Sequence, residues 1–221
     1  CLMNEPMSKH TSYGIGGSVD AFITPSDKFD LKNILQYTST NNIPVYFVGS
    51  GSNLLVADEG IDGVVITLAK SFKNLDITGC SVYAETGVML GHLVKKCMGL
   101  NLTGLETMIG VPGTLGGALV MNAGAFGSEI SNCLKSVDVM TLAGTIKKYK
   151  SSEIDFKYRY SSFKKDEIIL SAAFSLKKTT EEEIMAKRSI ASTGRKDTQP
   201  LRFRSAGSIF KNPDDHSSAG F

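Results

Sequence analysis

Ile109-Gly110-Val111-Pro112-Gly113-Thr114-Leu115-Gly116-Gly117-Ala118-Leu119-Val120-Met121-Asn122-Ala123-Gly124-Ala125-Phe126-Gly127 is the stretch that decides how this chain is read. Six glycines fall between 110 and 127 among small apolar residues, more than one turn needs. That composition permits close approach of backbone to a flat, bulky ligand over a long distance. Thr114 and Asn122 would add polar contacts. A small-residue helix packed on a sheet is the competing reading. Pro112-Gly113 and Gly116-Gly117 together argue against a long one.

Working outward, Gly49-Ser50-Gly51-Ser52-Asn53-Leu54 follows the apolar run Pro44-Val45-Tyr46-Phe47-Val48, which reads as a buried strand. Backbone N–H groups in such a loop can converge on an anion, and its serines and asparagine add short donors. A pyrophosphate would suit it. No Gly-Lys-Ser/Thr follows, so it is not a P-loop, and Leu54 stands where a dinucleotide fingerprint has its third glycine. A tight strand-to-helix turn is an equally open reading. Tyr13-Gly14-Ile15-Gly16-Gly17-Ser18-Val19-Asp20 is a third loop of this kind. Three loops suited to phosphates and a planar ring point to a dinucleotide cofactor.

A chain of 221 residues makes one large domain or two modest ones and buries its core without staples. With 42% hydrophobic and 21% charged residues it is neither a disordered tail nor a fibre nor a membrane bundle. No run approaches the roughly 18 apolar residues of a spanning helix. Lys+Arg 24 against Asp+Glu 22 gives no electrostatic case for nucleic acid or acidic lipid. Cys1, Cys80, Cys97 and Cys133 form no C-x-x-C pair and read as reduced thiols of a cytoplasmic protein. His10, His92 and His216 are too dispersed for a metal site, and none is expected. No signal-peptide pattern follows Cys1, and both ends read as those of a fragment. A monomer is expected.

Residues 27–36 carry Phe29, Leu31, Ile34 and Leu35 at helical spacing behind a Ser26/Asp27 cap. Residues 63–68 and 81–85 read as strands. Residues 89–98 read as a helix with Leu90, Leu93, Val94 and Cys97 on one face. A hairpin turns around Ala143-Gly144 within 136–149. Glu153-Ile154 opens a short turn or helix, and 168–176 is a strand. A charged helix over 181–192 is expected to stop at Gly194. The division is a mixed α+β body to about 178 and the start of a second unit from 179.

Two further segments carry chemistry. Tyr158-Arg159-Tyr160-Ser161-Ser162-Phe163-Lys164 sets an arginine between tyrosines. It could stack or clamp a carboxylate, or be an exposed strand-end arginine. Ser205-Ala206-Gly207-Ser208-Ile209-Phe210-Lys211-Asn212-Pro213, behind Arg202 and Arg204, is a constrained polar loop that the residues alone favour as a solvent loop.

In this order the segments resemble the UDP-N-acetylenolpyruvoylglucosamine reductase (MurB) family, flavoenzymes of bacterial cell-wall precursor synthesis. His10-Thr11-Ser12-Tyr13-Gly14-Ile15-Gly16-Gly17 is similar to its opening motif. Gly49-Ser50-Gly51-Ser52-Asn53-Leu54-Leu55-Val56 resembles its flavin pyrophosphate loop, and 110–127 its long flavin-embracing segment. The two segments just described are similar to its active-site motifs. The resemblance runs from about residue 8 to 221. It implies an α+β, two-subdomain FAD-binding fold (PCMH-type) over 1–178, then part of an α+β substrate-binding domain over 179–221, of the shorter subtype. It implies FAD contacts from Gly49, Ser50, Gly51, Ser52, Asn53, Leu54, Gly110, Pro112, Gly113, Thr114, Gly116, Gly117, Asn122 and Gly124. Tyr158, Lys211 and Asn212 would meet substrate. NADPH would supply hydride by way of FAD to the enolpyruvyl β-carbon of a UDP-sugar. Arg159 would steady the developing charge, and Ser208 would protonate the α-carbon.

The chain departs from the family pattern in places. The third catalytic residue, a glutamate, is expected beyond Phe221. Arg204 stands where proline is usual, which puts the shape of the serine loop in doubt. Gly14 stands where a basic residue is common, which puts a cofactor contact in doubt. Two rivals stand beside this reading. One is an FAD oxidase using O₂, against which the two active-site motifs argue. The other is a remnant that keeps the fold without turnover.

Overall fold

The computed structural model describes residues 1–198, 206–207 and 211–213. Strands β1 (Leu2–Pro6) and β2 (Ser18–Ile23), helix α1 (Lys28–Thr40), and strands β3 (Val45–Val48) and β4 (Ile61–Thr67) build a first sheet in the order β1-β2-β4-β3. β1 is antiparallel to β2, while β2, β4 and β3 run parallel. α1 begins where expected, because the Asp27 carboxylate accepts from the backbone N–H of Phe29 and Asp30 at 2.8 Å each. The helix runs on to Thr40, burying Leu31 and Leu35. β3 corrects the sequence reading. It is an edge strand rather than a buried one, with Tyr46 47% and Phe47 38% exposed.

A second sheet takes β5 (Leu75–Thr78), β6 (Ser81–Glu85), β7 (Leu134–Thr141), β8 (Ile146–Lys150) and β11 (Glu167–Ser175), in the antiparallel order β8-β7-β11-β6-β5. Between them lie α2 (Leu90–Met98), α3 (Leu115–Val120) and the small hairpin β9 (Phe156–Lys157) with β10 (Tyr160–Ser161). The hairpin of β7 and β8 turns at Gly144, φ 80°. Glu153 closes a 3-10 turn (Ser151–Glu153) rather than opening one.

Strand alternation sends one face of the second sheet against α2 and α3, where Val82, Ala84, Val137, Ala172 and Phe174 pack with Leu93, Cys97, Leu115 and Leu119. The other face sends Met140, Ile168 and Leu170 into a cluster with Leu31, Leu35, Val64 and Ile66. The two sheets therefore share a core. Burial pushes the thiols of Cys97 and Cys133 up to about 12, and all four cysteines are unpaired thiols.

One glycine expectation is borne out and one is corrected by packing. α3 is only six residues long, as expected where Pro112-Gly113 and Gly116-Gly117 exclude a long helix, and Gly116-Gly117 sits inside it. A Cβ on Gly116 would run into Thr86 Oγ1, so the missing side chain is what lets α3 approach. Helix α4 (Glu181–Thr198) passes straight through Gly194, where a Cβ would strike the Phe126 ring. α4 is seated on the body by buried Ile184 and Ala191 and by an ion pair. Lys187 Nζ lies 3.0 Å from Glu106 Oε1. Glu106 is 2% exposed and accepts from Thr103 Oγ1 at 2.5 Å and Gly104 N at 2.6 Å. Burial alone would raise this carboxyl, but its hydrogen-bond donors outweigh it and hold it below the usual carboxylate range. Among the described residues no helix is long and apolar enough to cross a membrane.

Candidate functional site

A cavity of about 920 Å³ opens between the glycine segments. Its wall takes in residues 47–54, 111–114, 116–118 and 120–129, together with Tyr158, Arg159, Ala206 and Gly207. Of the candidate residues, Gly49, Ser50, Gly51, Ser52, Asn53 and Leu54 are all on this wall, as are Pro112, Gly113, Thr114, Gly116, Gly117, Asn122 and Gly124. Tyr158 and Arg159 are there too. Gly110 is not; it backs onto Arg195, whose Cδ a Cβ would meet at 3.4 Å. Lys211 and Asn212 are exposed and off the wall. Ser208 and Arg204 lie outside the described residues.

The loop after β3 leads into β4 without a helix, so it is not a strand-to-helix turn. Gly51 adopts φ 66°, and a Cβ there would strike the His10 carbonyl. The Ser12 N–H donates to the Gly51 carbonyl at 3.0 Å. His10 in turn stacks on Phe22 at 3.9 Å and lies 3.1 Å from Glu5 Oε1. The third glycine loop, 13–20, therefore does not line the cavity; the opening motif buttresses the 49–54 loop from behind. Across the cavity mouth, a Cβ on Gly49 would come 2.5 Å from Thr114 Oγ1, and one on Gly113 3.2 Å from Ser52 Oγ. Each segment sets a glycine against a hydroxyl side chain of the other.

This wall fits a dinucleotide. Its size is that of a large-ligand pocket. Ser50 Oγ is buried without a hydrogen-bond partner, a state costing about 1–3 kcal/mol that a phosphate oxygen would relieve. FAD would be held here by backbone N–H groups and short hydroxyls, with no lysine needed. Among the described residues no cluster of His, Cys, Asp or Glu could hold a metal.

Among the described residues, the positive charge on the cavity wall comes from the β9–β10 hairpin. Arg159, at its tip, adopts φ 52°, a left-handed conformation that costs a non-glycine residue roughly 1–2 kcal/mol. Its guanidinium lies 5.8 Å over the Tyr158 ring. Ser161 Oγ donates to the Val120 carbonyl at 2.7 Å, and Asn122 Nδ2 to the Lys157 carbonyl at 3.2 Å. Both bonds tie the hairpin to the end of α3.

Sequence reasoning missed Thr86, Glu129 and Glu167, which also line the cavity. Nothing local marks them. Glu167 accepts from Tyr149 Oη at 2.7 Å, Lys147 Nζ at 3.3 Å and Lys164 N at 3.3 Å. Burial would raise its carboxyl, but those donors keep it low, and the same bond pushes the Tyr149 hydroxyl up. Glu167 is therefore a fixed anion at neutral pH and not a proton donor.

Comparison with known proteins agrees with this geometry. The family described as FAD binding domain matches residues 19–150. The UDP-N-acetylenolpyruvoylglucosamine reductase of Syntrophomonas wolfei is 41% identical over 212 residues, covering 96% of this chain and 71% of the relative. The reductase of the same name from Caldanaerobacter subterraneus is 42% identical over 212 residues, covering 96% and 70%. The crystal structure of the Thermus caldophilus reductase superposes with a TM-score of 0.85 at 32% identity, over 98% of this chain and 76% of that one. Fold, cavity and kinship agree: the chain belongs to the UDP-N-acetylenolpyruvoylglucosamine reductase family, flavin-dependent oxidoreductases on a PCMH-type FAD-binding fold.

Proposed function

We propose that this chain binds FAD and, with NADPH, reduces the enolpyruvyl group of UDP-N-acetylglucosamine enolpyruvate to UDP-N-acetylmuramate in peptidoglycan precursor synthesis. The observation that carries the reading is a left-handed arginine, Arg159, held at the wall of a glycine-lined cavity. Strain of this kind persists where the surrounding structure over-determines it, and it clusters at active sites.

Bound FAD supplies the hydride chemistry. The chain supplies placement and charge. Residues 49–54 and 112–117 would grip the pyrophosphate and one edge of the ring through backbone. Adding hydride to the β-carbon leaves negative charge at the α-carbon, beside a carboxylate. A fixed cation there stabilises the charge where it develops. Arg159 is assigned that part, with Tyr158 beneath its guanidinium. The α-carbon then needs a proton. Ser208 is assigned as its donor; Ala206 and Gly207, two and one residues before it, are on the cavity wall. A serine is a weak acid, but the acceptor is a strongly basic carbon. Residues from 179 onward are assigned to a substrate-binding unit that would place the UDP-sugar, with Lys211 and Asn212 in it. The protein is read as a cytoplasmic monomer.

The test is anaerobic spectroscopy on the FAD-loaded protein. NADPH should bleach the yellow colour, and UDP-N-acetylglucosamine enolpyruvate should restore it. Arg159→Ala and Ser208→Ala should still be bleached, while restoration slows by on the order of 10²–10³-fold. Restoration at the parent rate in either variant would remove that residue from the mechanism.

A further inference from the structure

We infer that Asn122, oriented by Glu129, is a positioning residue: its side chain moors the hairpin that carries Arg159, and it serves the substrate step rather than cofactor capture. The inference rests on the reading of Arg159 given above.

Asn122 is 3% exposed and adopts φ 43°. Its amide nitrogen donates to Glu129 Oε2 at 2.7 Å and to the Lys157 carbonyl at 3.2 Å. Two acceptors on one side fix which way the amide points. A flipped amide would press its own oxygen against a carboxylate and a carbonyl. In the fixed orientation Oδ1 is buried with no hydrogen-bond partner. An orphaned buried acceptor and, to the small extent asparagine feels it, a left-handed backbone are costs, and the first is not one that a residue kept only for stability ordinarily carries.

The return on those costs is the place of the hairpin. Lys157 stands two residues before Arg159 in the chain and Ser161 two after. Asn122 holds the first strand by its carbonyl, and the Val120 carbonyl accepts from the Ser161 hydroxyl of the second. Both anchors sit at the end of α3. Strands of two residues each cannot hold their own shape in water. The two moorings therefore fix the hairpin backbone that carries Arg159 against the end of α3. Glu129 completes the device, and its Oε2 also accepts from Ser131 Oγ at 3.4 Å.

The test uses the full-length, FAD-loaded enzyme and three variants. Asn122→Gly keeps the backbone conformation and removes the amide. Asn122→Asp turns the donor into an acceptor facing Glu129. Glu129→Gln keeps an acceptor for the amide and is the conservative rescue. Amide exchange at 156–161 and tryptic cleavage after Lys157 and Arg159 report the mooring without reference to activity. Both should accelerate in the two Asn122 variants and stay near parental in Glu129→Gln. Substrate turnover should fall on the order of 10²-fold in kcat, the size of effect that a small misplacement produces, with a smaller change in KM and in FAD affinity. Unchanged exchange at 156–161 would overturn the inference, as would a loss of FAD affinity as large as the loss in kcat. Arg159→Ala run alongside separates the two claims. If it spares substrate turnover the reading of Arg159 falls, while the exchange data still judge the mooring.

Discussion

The two sides of the cavity are built from different atoms. Around 49–54 and 112–117 the wall is glycine backbone set against short hydroxyls such as Ser52 and Thr114, brought close because the glycines lack side chains. At Tyr158 and Arg159 it is a charged side chain on a hairpin pinned from one side. A backbone wall can tolerate many neighbours but not an added Cβ. A wall made of one guanidinium has room for altered neighbours but not for a displaced charge. Binding and chemistry are thus exposed to opposite kinds of substitution.

The sharpest way to break that contrast is a reciprocal pair. Gly51→Ala forces a Cβ into the His10 carbonyl at φ 66° and should cost on the order of 3 kcal/mol, with FAD affinity lost as well. Arg159→Gly should slow substrate turnover by on the order of 10²–10³-fold yet leave stability unchanged or up to about 1 kcal/mol higher, because it relieves a left-handed residue. Urea melts read both. An Arg159→Gly protein as damaged as Gly51→Ala would show that the hairpin is not strained.

A smaller effect separates the cavity from the seat of α4. Glu106 and Glu167 have carboxyls held below the ordinary value of 4.5 in the folded state. A depressed carboxyl stabilises the fold above its unfolded pKa, and that stability is lost as pH falls through the folded value. The melting temperature should therefore hold above about pH 4.5 and drop below it. Glu106→Gln should lower the plateau and flatten the drop. A melting temperature independent of pH between 5 and about 3 would show that these carboxylates are not linked to folding.

The smallest effect is at Gly194. Alanine for a mid-helix glycine ordinarily gains about 1 kcal/mol. Here the Phe126 ring stands in the way, so Gly194→Ala alone should be near neutral. In a Phe126→Ala background the gain should return. A full gain in the parent would show that the ring swings aside at no cost.

Much of the framework was legible. The α1 cap, the apolar face of α2, the β7–β8 hairpin and the clustered glycines are local patterns, and local patterns are what a sequence displays. What it hid is contact. Gly194 was read as a stop, and Gly116 as part of a set that limits helix length, because glycine usually signals a turn. Their role is to make room for Thr86 and Phe126, which lie elsewhere in the chain. β2 was lost because its first residues, Ser18, Val19 and Asp20, had been absorbed into a glycine loop. The edge position of β3 depends on which strand it pairs with, and its apolar run gives no hint of that. In the site, Thr86, Glu129 and Glu167 carry no motif and become visible only once the walls are closed.

Those walls come from around residues 50, 115 to 127, 159 and 206, so no stretch of the chain can form the pocket alone. Contacts between remote segments are entropically late, because long loops must close before anything rewards them. A nascent chain would finish α1 and its parallel strands well before the pieces they must face have been synthesised. The pocket is thus the last part of the molecule to assemble, and a tight ligand present at a thousand times its Kd would add about 4 kcal/mol to that final step by mass action. The availability of flavin would then act on the yield of folded enzyme as well as on its turnover.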